Sequence, residues 1–465
     1  MANLLAALGS TAGALNAFDQ VLQVTQNNVA NASTPGYAKE SLPLEAMSFD
    51  LATGAPGGVR AGQIESARDQ YAEQAVRRQN TLLGAAQQNV SSLNALQRLF
   101  DISGQTGIPY ALNNLLQSFS AWAQSPSDAT ARKNVMNQAA GVANAFQQTA
   151  AGLNSAERDA EQQLQSTVTQ INRLAGQLQQ ENVQIMSGSK RDPGIDAQIH
   201  STLEQLSQYG DVTALQQSDG TMTVLLNGQT PLVVADKQYQ IGFQLGEPPS
   251  PTYPGRPSAV VTAADGSDIT TQTTGGQLGA LLNIRNTVLP SYIGGASQVG
   301  DLNTLAKQFA DTVNGLLTPG GTGVPLFVYD NANDTNVAST LTVSSSASAS
   351  ALTAVDPGPP SVANGVPLAL SALSNSTQIS GATFSGFFGA MAGRVGSALN
   401  DATNQQQMQQ STLAQAQNLR QQVSGVNLDE EATTMIEFQR AYDANSRLLT
   451  VLDQITQDAI NILQP

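Results

Sequence analysis

Two narrow apolar seams, one at each end of the chain, limit the possible folds more than any other feature. From the N-terminus the apolar or small residues fall at Leu8, Thr11, Leu15, Phe18, Leu22, Thr25 and Val29, in alternating steps of three and four. The same alternation returns at Phe438, Ala441, Asn445, Leu448, Leu452, Ile455, Ala459 and Ile462. Such spacing lays one stripe on a helix. Each stripe can sit on a core of its own, or the two helices can pair as a coiled coil. Residues 1–38 carry one charge, Asp19, so the first helix lacks an ordinary charged outer face and should meet protein on several sides. Termini so thinly apolar should be largely unfolded until neighbours supply further contacts.

The second seam is well announced. Asn427 with Glu430 three residues on reads as a capping pair, and Asp429, Glu430 and Glu431 suit the positive end of a helix dipole. Between the seams, residues 65–207 read as helix. There Leu153, Ala160, Leu164, Val168, Ile171, Ala175, Leu178, Asn182 and Ile185 keep a coiled-coil-like period, and Ser125-Pro126-Ser127-Asp128 predicts a helix start with Pro at its first position. From Asp211 the period changes. Runs at Thr221–Leu226 and Leu232–Ala235 flank Asn227-Gly228, a hairpin signal, and Pro and Gly crowd Glu247–Pro257. Helical spacing resumes over 277–317, 320–383 is Gly-, Ser- and Pro-rich with short strand runs, and 384–423 is helical again.

The fold class expected is mainly α with inserted β. Residues 1–38 plus 424–465 should form a terminal coiled-coil inner domain. A long helical bundle should take 39–210, 274–319 and 384–423, with a β-rich insertion at 211–273 and a loop-rich segment with short strands at 320–383.

Composition removes most functions that need chemistry. With 35 acidic against 20 basic residues the chain carries a formal charge of −15, which repels a phosphate backbone and argues against a nucleic-acid partner. There is no Cys and one His, so thiolate chemistry, His-dependent triads and Cys- or multi-His metal sites are excluded, and no cofactor is expected. His200 reads as a packing or surface residue. No run approaches the roughly 18–20 apolar residues that span a bilayer. The N-terminus lacks the basic region of a Sec signal, since its first cation is Lys39. A catalytic reading is left with carboxylates. Asp429, Glu430 and Glu431 point different ways around a helix, and Asp265 with Asp268 in the loop Ala264–Ile269 are the candidates for a secreted hydrolase. The Asn-X-Ser/Thr matches at Asn31, Asn89, Asn333 and Asn375 read as chance, and the Gly-rich turns at Gly275-Gly276 and Pro319-Gly320-Gly321 lack the Lys of a P-loop.

One segment is more specific. Asn27-Asn28-Val29-Ala30-Asn31-Ala32-Ser33-Thr34-Pro35-Gly36-Tyr37 is a helix end rich in short amides, followed by a Pro-Gly turn and an aromatic. It resembles the N-terminal motif of the rod, hook and hook-associated axial proteins of the bacterial flagellum. Gly425-Val426-Asn427-Leu428-Asp429-Glu430-Glu431 and Phe438-Gln439-Arg440-Ala441-Tyr442 are similar to that family's C-terminal region. Pro126 with Ala131-Arg132, Val135, Ala139, Ala143 and Phe146, then Gly275–Arg285, then Phe387–Gly396, resemble the hook-associated branch. Lys39 stands where the family often has Arg, keeping the charge but losing the planar fork.

The resemblance implies a structural subunit and no enzyme. It implies export through the flagellar channel and an extracellular place at the hook–filament junction. The implied partners are further copies of itself, the hook protein, the next hook-associated junction protein and an export chaperone, with no membrane insertion. A hook or distal-rod subunit is the near alternative. The resemblance makes Asn27, Asn28, Ala30, Asn31, Thr34, Pro35, Gly36 and Tyr37 an assembly motif, and Phe438, Ala441, Tyr442, Leu448, Leu452, Ile455 and Ile462 a C-terminal interface.

Overall fold

The computed structural model describes residues 2–50, 55–101, 105–188, 192–247 and 255–463; most of the Pro- and Gly-rich stretch after Glu247 lies outside them. The chain starts with helix α1 (Ala2–Asn31) and turns into four short strands, β1 (Glu40–Ser41), β2 (Leu44–Asp50), β3 (Ala55–Ala61) and β4 (Glu65–Ser66). β2 and β3 form an antiparallel hairpin whose β3 lies against α1, and β1 pairs with β4 beneath it. This stretch, grouped with the bundle from sequence, packs with the inner helix instead.

Four helices follow: α2 (Gln70–Gln97), α3 (Gly107–Gln124), α4 (Ala129–Met186) and α5 (Pro193–Tyr209). The α4 start differs from expectation. Asp128, not Ser125, caps the helix, its carboxylate accepting from the Thr130 amide at 2.7 Å. Pro126 stays in the turn before it, where its carbonyl accepts from the Trp122 indole. A side chain that satisfies a free helix donor outweighs the fixed φ of proline. At 1.5 Å per residue the 58 residues of α4 run for about 87 Å. Its inward residues serve two cores in turn. Val135, Val142, Phe146 and Leu153 join α3 and later helices, whereas Leu164, Ile171, Leu178 and Ile185 join α5 and the β domain.

The β domain leaves the bundle after α5. Strands β5 (Val212–Gln216), β6 (Met222–Leu226), β7 (Thr230–Val234) and β8 (Lys237–Gln238) make an antiparallel sheet in sequential order, and β9 (Gly242–Leu245) pairs with β10 (Ala259–Thr262). The Asn227-Gly228 turn sits where its sequence puts it, with both residues at positive φ. The chain rejoins the helices at Gly276, whose φ is +66° and where an added Cβ would lie 2.5 Å from the Gly210 nitrogen. The points of departure and return therefore touch, as an insertion requires.

Helix α6 (Gly276–Asn283) passes through a π-helical turn (Ile284–Val288) into α7 (Leu289–Ile293), and α8 (Asp301–Leu317) follows. The Gly/Ser/Pro-rich segment holds β11 (Phe327–Val328), α9 (Val337–Thr340), β12 (Thr342–Val343) and α10 (Gly365–Ser371). It does not stand apart: Phe327, Val337, Leu341, Leu352, Val366 and Leu370 are buried in the same core as Phe146 and Phe309. α11 (Phe384–Ser424) runs back along α2, and α12 (Leu428–Leu463) pairs with α1. No helix among the described residues is long and apolar enough to cross a membrane.

Candidate assembly interface

The two seams do meet. α1 packs along α12, and Phe18 stands against Phe438 with ring centroids 5.8 Å apart and planes tilted by 52°. The fully buried positions of α1 are Thr11, Ala14, Ala17, Val21, Thr25 and Asn28, while Leu15, Phe18 and Leu22 stay half-buried. The stripe is shifted from the sequence reading because α1 has two partners, α12 on one side and β3 on the other. Along α12 the expected stripe divides. Phe438, Ala441, Asn445, Leu452 and Ala459 are partly covered, whereas Tyr442, Leu448 and Ile455 are exposed. Leu448, Val451 and Ile455 keep 51%, 57% and 47% of their surface and form a second apolar face without a covering partner among the described residues. The side chain of Ile462 lies outside the described residues.

Within the Asn-rich motif one residue does most of the joining. Asn28 is 1% exposed and all four of its hydrogen-bonding positions are used. Its Nδ2 donates to the Glu40 carbonyl at 2.8 Å and to Glu431 Oε2 at 3.0 Å. Its Oδ1 accepts from the Glu40 amide at 3.0 Å and the Tyr37 hydroxyl at 2.9 Å. Burial and the carboxylates of Glu40 and Glu431 push the Tyr37 hydroxyl up to about 12, so it remains a donor. Asn28 thus fastens α1 to the strand after the turn and to the first turn of α12.

The other motif residues act locally. Asn31 Nδ2 donates to the backbone and side-chain oxygens of Asn27 at 3.0 and 2.7 Å, Thr34 Oγ1 donates to Asn31 Oδ1, and the Tyr37 amide donates to the Thr34 carbonyl. Ala30, Thr34 and Pro35 are exposed. Gly36 has φ +79°, and a Cβ there would lie 2.3 Å from the Ala197 carbonyl oxygen, so only glycine lets the turn seat against α5.

The acids at the start of α12 have partners as well as a dipole. Asn427 caps the helix through the Asp429 amide, but Glu430 does not reach back to it. Instead Glu430 and Glu431 both take Lys39 Nζ, at 2.9 and 3.1 Å. Burial pulls Lys39 down, yet these two carboxylates raise it on balance. The Lys39 amide also donates to the Ser424 carbonyl and the Asp69 amide to Ser424 Oγ, tying the α11–α12 junction to the chain after the motif.

Beside this knot lies an ionic cluster that sequence reading missed. Arg68 binds Glu73 at 2.7 Å, Asp196 at 2.6 Å and the Gly36 carbonyl at 2.7 Å, and Arg420 binds Glu73 and Glu204. It joins the turn to α2, α5 and α11. His200 is buried within it, 3.9 Å from Glu73 and 3.7 Å from Asp196. Burial, with the guanidinium groups of Arg68, Arg77 and Arg420, holds it well below the ordinary histidine range. It is a packed neutral residue.

The hydrolase candidates are placed otherwise. Asp265 Oδ1 accepts from the Ser267 hydroxyl and amide, and Asp268 Oδ1 from the Thr270 amide, so both shape an exposed turn. The Ser267 hydroxyl holds Asp265 below its usual range, the reverse of what a general acid needs.

Residues 93–327 match the family of the flagellar hook-associated protein FlgK helical domain, half of the chain. The chain belongs to the FlgK family. Residues 8–37 match the flagella basal body rod protein family, and 417–462 the flagellar basal body rod FlgEFG protein C-terminal family. Those two stretches carry the seams and the Asn-rich motif. Among FlgK-family relatives, flagellar hook-associated protein 1 of Bacillus subtilis is 26% identical over 501 aligned positions, covering 96% of each chain. Flagellar hook-associated protein 1 of Salmonella typhimurium is 25% identical over 357 positions, covering 70% of this chain and 61% of that one. The fold is similar to that of the flagellar hook junction protein FlgK from Burkholderia pseudomallei, with a TM-score of 0.64 at 17% identity, over 76% of this chain and all of that chain.

Proposed function

We propose that this chain is a structural subunit at the junction between hook and filament, exported through the flagellar channel and assembled head-to-tail on the hook. The observation that carries this reading is the free face of α12. Leu448, Val451 and Ile455 project at seam spacing from a helix already paired along its other side. Neighbouring copies, the hook protein on one side and the next hook-associated protein on the other supply the cover such a face needs. An export chaperone fits the same stripe before assembly. The match at 93–327 favours this junction over a hook or rod position, and the turn geometry of Asp265 and Asp268 gives a hydrolase no footing.

The test is Ile455→Asp. A carboxylate buried unpaired between subunits costs about 3–5 kcal/mol, yet Ile455 is exposed in the single chain, so the fold should stand. The variant should be secreted with unchanged melting, leaving cells with hooks and no filaments. Normal filaments on those cells would overturn the reading.

A further inference from the structure

Among the open strand edges of the described residues, two present hydrogen-bonding groups that match. In the β5–β6 ladder the Asn227 amide donates to the Asp211 carbonyl and the Gln217 amide to the Thr221 carbonyl. Odd-numbered residues of β5 therefore bond inward, and Val212, Ala214 and Gln216 aim their N–H and C=O groups away from the sheet. β5 is an edge strand. β5 lines a trough of about 1160 Å³ that the start of α2 also lines, with Tyr71, Arg77 and Arg78. Arg77 Nη1, although buried, has no hydrogen-bond partner, and Tyr71 and Leu215 stand exposed at the rim.

The other open edge is β2. The Gly62 amide donates to the Pro43 carbonyl, so odd residues pair with β3, and Leu44, Ala46 and Ser48 point their backbone groups outward, on the side away from α1. One face of β2 carries Glu45, Met47 and Phe49 at alternate positions, and Phe49 is 67% exposed. Glu45 binds Arg60 through Oε2 alone. Each edge thus offers three donors and three acceptors at two-residue spacing, and no described partner takes them up.

We propose that β2 of one copy adds to β5 of a second copy, laying Met47 and Phe49 beside Tyr71 and Leu215 and bringing Glu45 to Arg77 and Arg78. The inference rests on the assembly proposed above. Within one copy the two strands belong to separate sheets, so a second copy is the occupant. Donor edge and acceptor edge occur once in each subunit, so the pairing repeats head-to-tail without closing on itself. Main-chain bonds supply the hold and alternate side chains the register.

The chain has no cysteine, which makes the test direct. Full-length chains carrying Leu215→Cys with either Met47→Cys or Phe49→Cys are expressed as the sole copy, hook–basal bodies are isolated and oxidised, and the protein is run without reductant. The expected result is a ladder of multimers, at least tenfold stronger than in the same chains carrying Ala214→Pro. Proline there removes one outward N–H and leaves the bonds to β6 intact. Protein that reaches the hook–basal bodies but stays monomeric in both pairs, or a ladder that survives Ala214→Pro, overturns the strand pairing and leaves the junction role standing. Cross-linking to a different flagellar component overturns the second copy as occupant. Absence of the Leu215→Cys parent from hook–basal bodies refutes the junction placement, and this inference with it.

Discussion

Replacing Asn28 with Ala should loosen the terminal helices without touching the bundle. The substitution removes four hydrogen bonds at once. Two of the orphaned groups recover: Tyr37 is partly exposed and can find water, and Glu431 keeps Lys39. The Glu40 amide and carbonyl lose their partner, and each unmade bond of this kind costs about 1–3 kcal/mol, so about 2–6 kcal/mol should go from the local stability. None of it should reach the two cores, which draw no residue from α1 or α12. Amide exchange of the protein assembled on isolated hook–basal bodies, where neighbours order the terminal helices, reads the difference. Val21–Asn28 and the first turns of α12 should exchange at least about 30-fold faster, while Leu164–Leu178 is unchanged. Asn28→Asp should do more harm than Ala, because it sets a second carboxylate against Glu431. Wild-type protection of α1 in Asn28→Ala, or an equal loss of protection in α4, would refute the reasoning.

Gly36→Ala forces a left-handed residue costing about 1–2 kcal/mol and drives a methyl group into the Ala197 carbonyl; it should be secreted normally but be scarce on isolated hook–basal bodies, and wild-type incorporation would count against the turn. Glu181 is buried on α4, and burial raises its carboxyl to about 7 in the fold despite the Thr202 hydroxyl. The folded chain then holds a proton that the unfolded chain has lost, so stability falls as pH rises from about 4.5 to 7. Glu181→Gln, which imitates the protonated acid, should remove that decline and stabilise the protein at pH 8 by about 2 kcal/mol; urea midpoints at pH 5 and pH 8 measure it, and parallel pH dependence in both proteins would refute it.

Period and turn chemistry carried much of the architecture from residue order alone. The seams, the Asn227-Gly228 hairpin and the return to helix at Gly276 follow from local rules, because each depends on residues a few positions apart. The part that needed three dimensions is the part joined across the chain. Arg68 meets Asp196 and Arg420 meets Glu73, separations of 128 and 347 residues, and nothing in the sequence around Arg68 sets it apart from an ordinary surface arginine. Asn28 was legible as a motif residue, but its bond to Glu431 spans 403 positions, and the acids of that helix start looked sufficiently explained by the dipole. The 320–383 segment was legible only as loop-rich with short strands. Isolated apolar residues such as Phe327, Val337 and Leu370 bury themselves in the main core, and no period marks them beforehand.

The covalent links between the inner helix pair and the outer bundle are few: the stretch after Asn31 and the short joint from Ser424 to Asn427. α4, by contrast, threads both cores as one uninterrupted rod. Twisting load applied to the outer body therefore meets a stiff beam and then a compliant neck. A torque crossing that neck would pass through Asn28, Lys39 and Arg68, whose hydrogen bonds and ion pairs bridge the two bodies there.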